Sequence, residues 1–378
     1  MLNVPPPPIS RRTKARFYTL FAFRHWFANA STKRNVTPDP PLDTQRPSWL
    51  QRREQRVLAQ IQKESKLRAS GLVEEIPHIS PEGLTHEAFK QYHKSHTPVV
   101  IDGFMKSTMA VKTWTLPWFR DNYGHEPVRL AIMRKDVSQP GNDAGLQTSF
   151  GAGLDQMLAG ERVYMFGHAD ILAKNPELIQ EYLDIPRLSR LCDAKFVLRN
   201  KKNEVDPFSS TLFVGGPRSG TSLHCAGGTN MFALIHGSKT WTLIPPVYTP
   251  YVYPQMDNKG LYCHSPLDLK MTSDELFSLG YELWKYVPRY EAHLEPGDVL
   301  FNPAWWWHWV ENTSETTLAV ATRFLSDRLF AGNPVLQALL ISHWHTFQLF
   351  IQWKLFGKEH SDAQSVRHIF PDEHAEDA

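Results

Sequence analysis

No Asp or Glu occurs before Asp39, while Arg11, Arg12, Lys14, Arg16, Arg24, Lys33 and Arg34 all fall in that stretch. Cysteine is scarce as well. Cys192, Cys225 and Cys263 form neither an even set nor a CxxC, which excludes a disulfide scaffold and a zinc ribbon and makes a reducing compartment the default. No apolar run reaches the ~20 residues a membrane span needs. With 41 Lys and Arg against 39 Asp and Glu, the chain as a whole gives no electrostatic case for nucleic-acid binding. No internal repeat is visible. What the sequence does hold is 12 Trp and 28 Pro, which suits a β-rich domain with many turns better than a helix bundle.

The acid-free start carries Phe17, Leu20, Phe21 and Phe27 at roughly helical spacing. That combination has the form of an organelle transit peptide, although PPPP at residues 5–8 equally fits a basic tail. A mitochondrial location is therefore set beside a cytoplasmic or nuclear one. Residues 1–47 read as a basic extension ending in a Pro-rich linker, VTPDPPLDTQRPS. Ser48, with Gln51 three residues on, predicts an N-capped helix over 48–71. Its narrow stripe of Leu50, Val57, Leu58 and Ile61 places it on the surface of a main domain. Short β segments are predicted around 73–79, 97–104, 127–133, 163–167, 211–215, 231–237, 239–246, 298–303 and 317–325, with helices near 85–95 and 114–123. Many short strands between turns predict a sandwich or barrel over 73–328. A helical segment follows at 329–358, with Leu336, Leu339, Leu340, Trp344, Phe347, Phe350 and Ile351 in period, and then a polar tail at 359–378. The apolar stripe of that segment predicts either homodimerisation or packing on its own barrel.

Two histidines draw attention to chemistry. His224 follows the Gly-rich turn GGPRSGTSLH, and His308 lies in PAWWWHWVEN among aromatics that can exclude water. A 2-His-1-carboxylate iron site needs three ligands on one face with other positions open. A spacing of i, i+2 on a strand supplies two of them. Two residues beyond His224 stands Ala226, and the intervening Cys225 should point to the opposite face.

The stretches GPRSGTSLHCAGGTNMFALIHGSKTWTLIPP and EPGDVLFNPAWWWHWVENT resemble the JmjC domain, the cupin-like family of 2-oxoglutarate/Fe(II) oxygenases. The SGTxxH, HGxKxW and PGDxxxxPxxWWH motifs occur in that order, and the resemblance covers most of residues 73–328. It implies a mainly β fold with flanking helices, a double-stranded β-helix or jelly roll, with Fe(II) and 2-oxoglutarate inside one end. It implies His224 and His308 as metal ligands, Thr221 and Lys239 as the residues holding the distal carboxylate of 2-oxoglutarate, and Asn230 as a polar neighbour. Arg323 falls near a polar position of the closing strand.

The departure is Ala226. Iron could be held by two histidines and the co-substrate, with water or chloride in the gap as in the 2-oxoglutarate halogenases, which this arrangement resembles. The barrel could instead be a binding or scaffold module without metal chemistry. In a third case another side chain, His264 or Glu291, would reach in. The substrate, protein or small molecule, is not readable. No Cys/His cluster or basic stripe in the main domain points to chromatin.

Overall fold

The computed structural model describes residues 2–28, 49–66, 72–132, 146–182, 209–257, 262–324 and most of 326–348. Sixteen strands are present among them. In chain order they are β1 (Val73–Glu75), β2 (His78–Ile79), β3 (Val99–Ile101), β4 (Pro127–Ile132), β5 (Leu146–Ser149), β6 (Val163–His168), β7 (Ser209–Gly215) and β8 (Gly220–Ala226). There follow β9 (Thr229–His236), β10 (Lys239–Ile244), β11 (Gln255–Met256), β12 (Tyr262–His264), β13 (Arg289–Leu294), β14 (Val299–Asn302), β15 (Trp307–Asn312) and β16 (Thr317–Phe324). They form two sheets, ordered β1-β13-β10-β15-β8-β12-β11 and β2-β3-β14-β9-β16-β7-β6-β4-β5. Pairing is antiparallel except for β1 with β13 and β2 with β3, as expected of a jelly roll.

Side chains sort by strand alternation into three layers. Phe232 and Leu234 of β9, Trp241 and Leu243 of β10, and Trp306 and Val310 form one cluster between the sheets. Met231, Ala233 and Ile235 of β9 face the other way, into a cluster with Phe89, Phe119 and Phe150 from helices on the outer face of the larger sheet. Both faces of β9 are therefore covered, which is why MFALI reads as a continuous apolar run rather than an alternating one.

Behind the smaller sheet lies a third cluster, which joins Leu223, Cys225, Trp305, Trp307 and Trp309 to Phe17, Tyr18 and Phe21 of helix α1 (Arg11–Phe23) and Ile61 of helix α2 (Trp49–Ser65). The basic N-terminal segment thus contributes to the core. Ser10 caps α1, accepting from the Thr13 amide. Helix α2 begins at Trp49 and its last helical residue is Ser65; Ser48 and Gly71, expected to bound it, lie outside the described residues. Leu336, Leu339 and Leu340 of the helix Pro334–Ser342 are buried in the same cluster, so this part of the C-terminal segment packs on its own barrel. Trp344, Phe350 and Ile351 lie outside the described residues.

Candidate metal and co-substrate site

Four strands of the smaller sheet, β10, β15, β8 and β12, lay out the site in rungs. Lys239 opposes Asn312. Two residues along, Trp241 opposes Val310, and Val310 opposes Thr221. Two residues further, Leu243 opposes His308, His308 opposes His224, and His224 opposes His264. Directly opposed residues of an antiparallel pair share a face, and Trp306 and Val310 mark the inner one. Lys239, Thr221, His224 and His308 therefore all line the barrel interior. Cys225 lies on the outer face, buried beside Leu223.

Thr221 and His224 are three residues apart and would point oppositely on a regular strand. They share a face because the register shifts between His308 and Val310: Trp309 alone spans Ser222 and Leu223. A bulge of this kind inserts one residue and re-aims a side chain.

The two imidazoles are held alike. His224 Nδ1 lies 2.8 Å from the Ser222 carbonyl, and His308 Nδ1 lies 2.9 Å from the Trp306 carbonyl. A ring nitrogen facing a carbonyl must donate, so both Nε2 atoms carry a lone pair. This is how a metal-binding histidine is oriented. The ring centroids are 4.2 Å apart, and Trp241 stacks on His308 at 5.1 Å. Burial keeps both rings neutral. The His308 pKa is pushed down to about 4, mainly by desolvation and further by Arg323. That of His224 is pushed well below the ordinary value by desolvation and by His308 and His264.

At the other end Lys239 is 1% exposed. Its ammonium donates to Asn312 Oδ1 and sits 5.4 Å from the Tyr164 ring centroid and 5.9 Å from that of Phe232. Among the described residues it has no acidic partner, and burial lowers its pKa from 10.5 to about 7. Elsewhere in the interior, Thr221 Oγ1, Asn230 Oδ1, Asn302 Oδ1 and Trp241 Nε1 are buried without a hydrogen-bond partner among the described residues, and the Asn302 amide nitrogen lies 3.4 Å from His308 Nδ1. Asn230 faces both Asn302 and Arg323 across the strands. Arg323 donates to Thr211 Oγ1 at 2.9 Å. A buried cation together with several orphaned polar groups is costly unless a ligand meets them.

At the mouth, Ala226 opposes Tyr262. Glu291 does not face the histidines. Its neighbours Tyr290 and Ala292 point inward, and the Glu291 carboxylate lies outside, 3.8 Å from His293. His264 lies on the histidine rung, its ring 6.1 Å from that of His224. No group of three metal-ligating side chains occurs among the described residues. Tyr164, Asn302 and Asn312 belong to the site and are not singled out by sequence reasoning. Alternation along VYMFG and the ends of FNP and VEN place them inside only once strand pairing is known.

This geometry belongs to a known class. The sequence profile of the cupin-like domain family matches residues 85–327, and the chain belongs to that family. Its relatives identify the JmjC group within it. Lysine-specific demethylase JMJ21 of Arabidopsis thaliana is 26% identical over 249 residues, 65% of this chain and 25% of that protein. HSPB1-associated protein 1 of Homo sapiens is 31% identical over 112 residues, 29% of this chain and 22% of that protein. The bifunctional arginine demethylase and lysyl-hydroxylase psr-1 of Caenorhabditis elegans is 24% identical over 258 residues, 66% of this chain and 61% of that protein. The chain thus spans a quarter or less of the first two relatives and about three-fifths of the third.

Proposed function

We propose that this chain is a 2-oxoglutarate- and Fe(II)-binding oxygenase-like protein with an open third ligand position at Ala226. The observation that carries the reading is Lys239, a buried ammonium without an acidic partner among the described residues, beside the orphaned Thr221 hydroxyl. A small dianion meets both. Members of the JmjC group generally use Fe(II) and 2-oxoglutarate.

His224 and His308 would hold the metal through their Nε2 atoms, each fixed by the carbonyl two residues before it. Lys239 and Thr221 would hold the far carboxylate of 2-oxoglutarate, while Asn302, whose amide lies 3.4 Å from His308 Nδ1, and its cross-strand neighbour Asn230 would offer polar groups nearer the metal end. The rungs of Lys239 and His308 lie four residues apart, about 13 Å of strand. That leaves room for a short diacid between the two side chains. When bound, the iron and the co-substrate supply oxygen-dependent oxidation of a substrate C–H bond, with release of succinate and carbon dioxide. Trp241 stacks on His308 and helps keep bulk water from it.

A second reading rests on Ala226 and the absence of a third ligand among the described residues: a binding protein that keeps the pocket without turnover. The test is an anaerobic titration with Fe(II) and 2-oxoglutarate, with and without chloride. A visible charge-transfer band is the expected result, and a chloride-dependent shift would assign the gap to a halide. No band at saturating metal and co-substrate, with a thermal shift from 2-oxoglutarate alone, would establish the binding protein instead.

A further inference from the structure

The two N-terminal helices present a face that the pocket does not use. On α2, Trp49, Arg52, Arg53, Arg56, Gln60 and Lys63 are all exposed, at the spacing of one helical stripe. On α1, Arg12, Arg16 and Phe23 are exposed at a matching spacing. The stripes meet where the Phe23 ring contacts Trp49 edge-on, with centroids 5.6 Å apart. The apolar part continues from there. Trp26 lies three residues after Phe23 and packs on His343 at 4.9 Å. Phe347 begins one turn beyond, its amide bonded to the His343 carbonyl at 2.8 Å. Phe23, Trp26, Trp49 and Phe347 are 37–52% exposed.

Charge on this face is one-sided. The two helices carry eight Lys and Arg and two acids, and both acids are engaged. Glu54 pairs with Arg24 at 3.3 Å, and Glu64 accepts from Ser10, Thr13 and Gln60. Residues 1–70 hold 14 Lys and Arg against 4 Asp and Glu, which leaves 27 against 35 in the remainder. The near-neutral total conceals a basic N-terminal stretch of sequence and an acidic remainder.

We propose that this face docks the protein onto an anionic lipid bilayer. Clustered basic side chains around exposed Trp and Phe are what a membrane interface selects: the charges meet anionic headgroups, and the aromatics enter the headgroup region. A nucleic-acid strand would need open aromatic faces for its bases. One face of Trp49 is already taken by the Arg53 guanidinium, 5.2 Å from the ring centroid, and Phe23 meets the same ring. The bilayer is therefore the better match.

The test is flotation of the full chain with phosphatidylcholine vesicles, either pure or containing about a third phosphatidylglycerol, without metal or co-substrate. Binding to the anionic vesicles alone is expected, weakening as salt rises. Arg52→Gln/Arg53→Gln/Arg56→Gln should lower vesicle affinity roughly a hundredfold. Trp49→Ser should lower it several-fold and remove part of the blue shift in tryptophan fluorescence on binding. All four positions are exposed, and an unchanged melting curve verifies the fold. Equal binding to both vesicles, binding to neither, or full binding by the triple variant would overturn the proposal. So would tight binding of single-stranded RNA that the triple variant loses and anionic vesicles fail to displace.

Discussion

At one end of the barrel interior, Lys239 and Thr221 present a buried cation and an orphaned hydroxyl. At the other, His224 and His308 offer two oriented lone pairs, and no third metal-ligating side chain joins them among the described residues. The first end makes more recognition groups than the empty fold can satisfy. The second makes fewer than a facial triad requires. Under the proposed function, the contrast separates two properties, holding the co-substrate and closing the metal shell. Lys239 in particular has a continuing energetic cost that an empty, purely structural barrel would avoid by carrying Met there.

The sharpest way to break the contrast is Lys239→Met. Loss of the buried ammonium should weaken 2-oxoglutarate binding by about two to three orders of magnitude, the scale of breaking a buried charge pair. Calorimetric titration reads this directly. The ligand-free variant should be as stable as the parent or more so. If affinity survives, the deep end does not hold the carboxylate.

Next in size is a pH dependence. Below pH 7 Lys239 is charged in both folded and unfolded chains, and the folded chain bears the full cost. Between about 7 and 10.5 the folded chain has shed a proton that the unfolded chain still carries. The stability of the ligand-free protein should therefore rise with pH through that window, by on the order of a few kcal/mol. Denaturant melts of the parent and Lys239→Met should diverge below pH 7 and converge above pH 10. Parallel curves would show that water or an anion already neutralises the site.

Ala226→Asp sharpens the other end. Restoring a carboxylate two residues from His224 should raise Mn(II) affinity at least tenfold, since even outer-shell partners contribute that much. Electron paramagnetic resonance of free Mn(II) measures it. An unchanged affinity would mean that His264 or another group already fills the gap. The smallest effect is expected for Trp241→Phe. It removes a buried, unpartnered indole N–H while leaving a smaller ring, so relief of the N–H offsets part of the cavity cost and the net loss of stability should be about 1–2 kcal/mol by denaturant melt. A loss above about 4 kcal/mol, more than the cavity accounts for, would show that the N–H has a partner in solution.

Much of this pocket could be read from the chain alone. His224, His308, Thr221, Lys239 and the missing carboxylate at Ala226 all stand in short motifs with local signatures. Longer strands announced themselves by Gly and Pro boundaries. What escaped depends on partners distant in sequence. Strands β11 and β12 have two and three residues, too few for any periodicity, and exist because Cys263 and His264 find β8. RYEAHL of β13 alternates, but its charged outer positions resemble a loop. Tyr164 enters the site only because β6 pairs with β7. The N-terminal helix was legible in the spacing of Phe17 and Phe21, but its place in the core was not. Its basic residues dominate the composition, while the Phe17, Tyr18 and Phe21 side chains that fix it in the core are a minority of its length.

The extra residue in β8 has a consequence at the level of the gene. Thr221 and His224 look into the same cavity only because Trp309 spans two residues of the facing strand. Inserting a single codon between Trp309 and Val310 would match Ser222 and Leu223 residue for residue and give β8 a regular alternation against β15. With His224 kept in register opposite His308, Thr221 would turn outward. A one-codon insertion that alters neither Thr221 nor His224 would thus separate the two halves of the pocket, in a barrel whose strand pairing had become more regular.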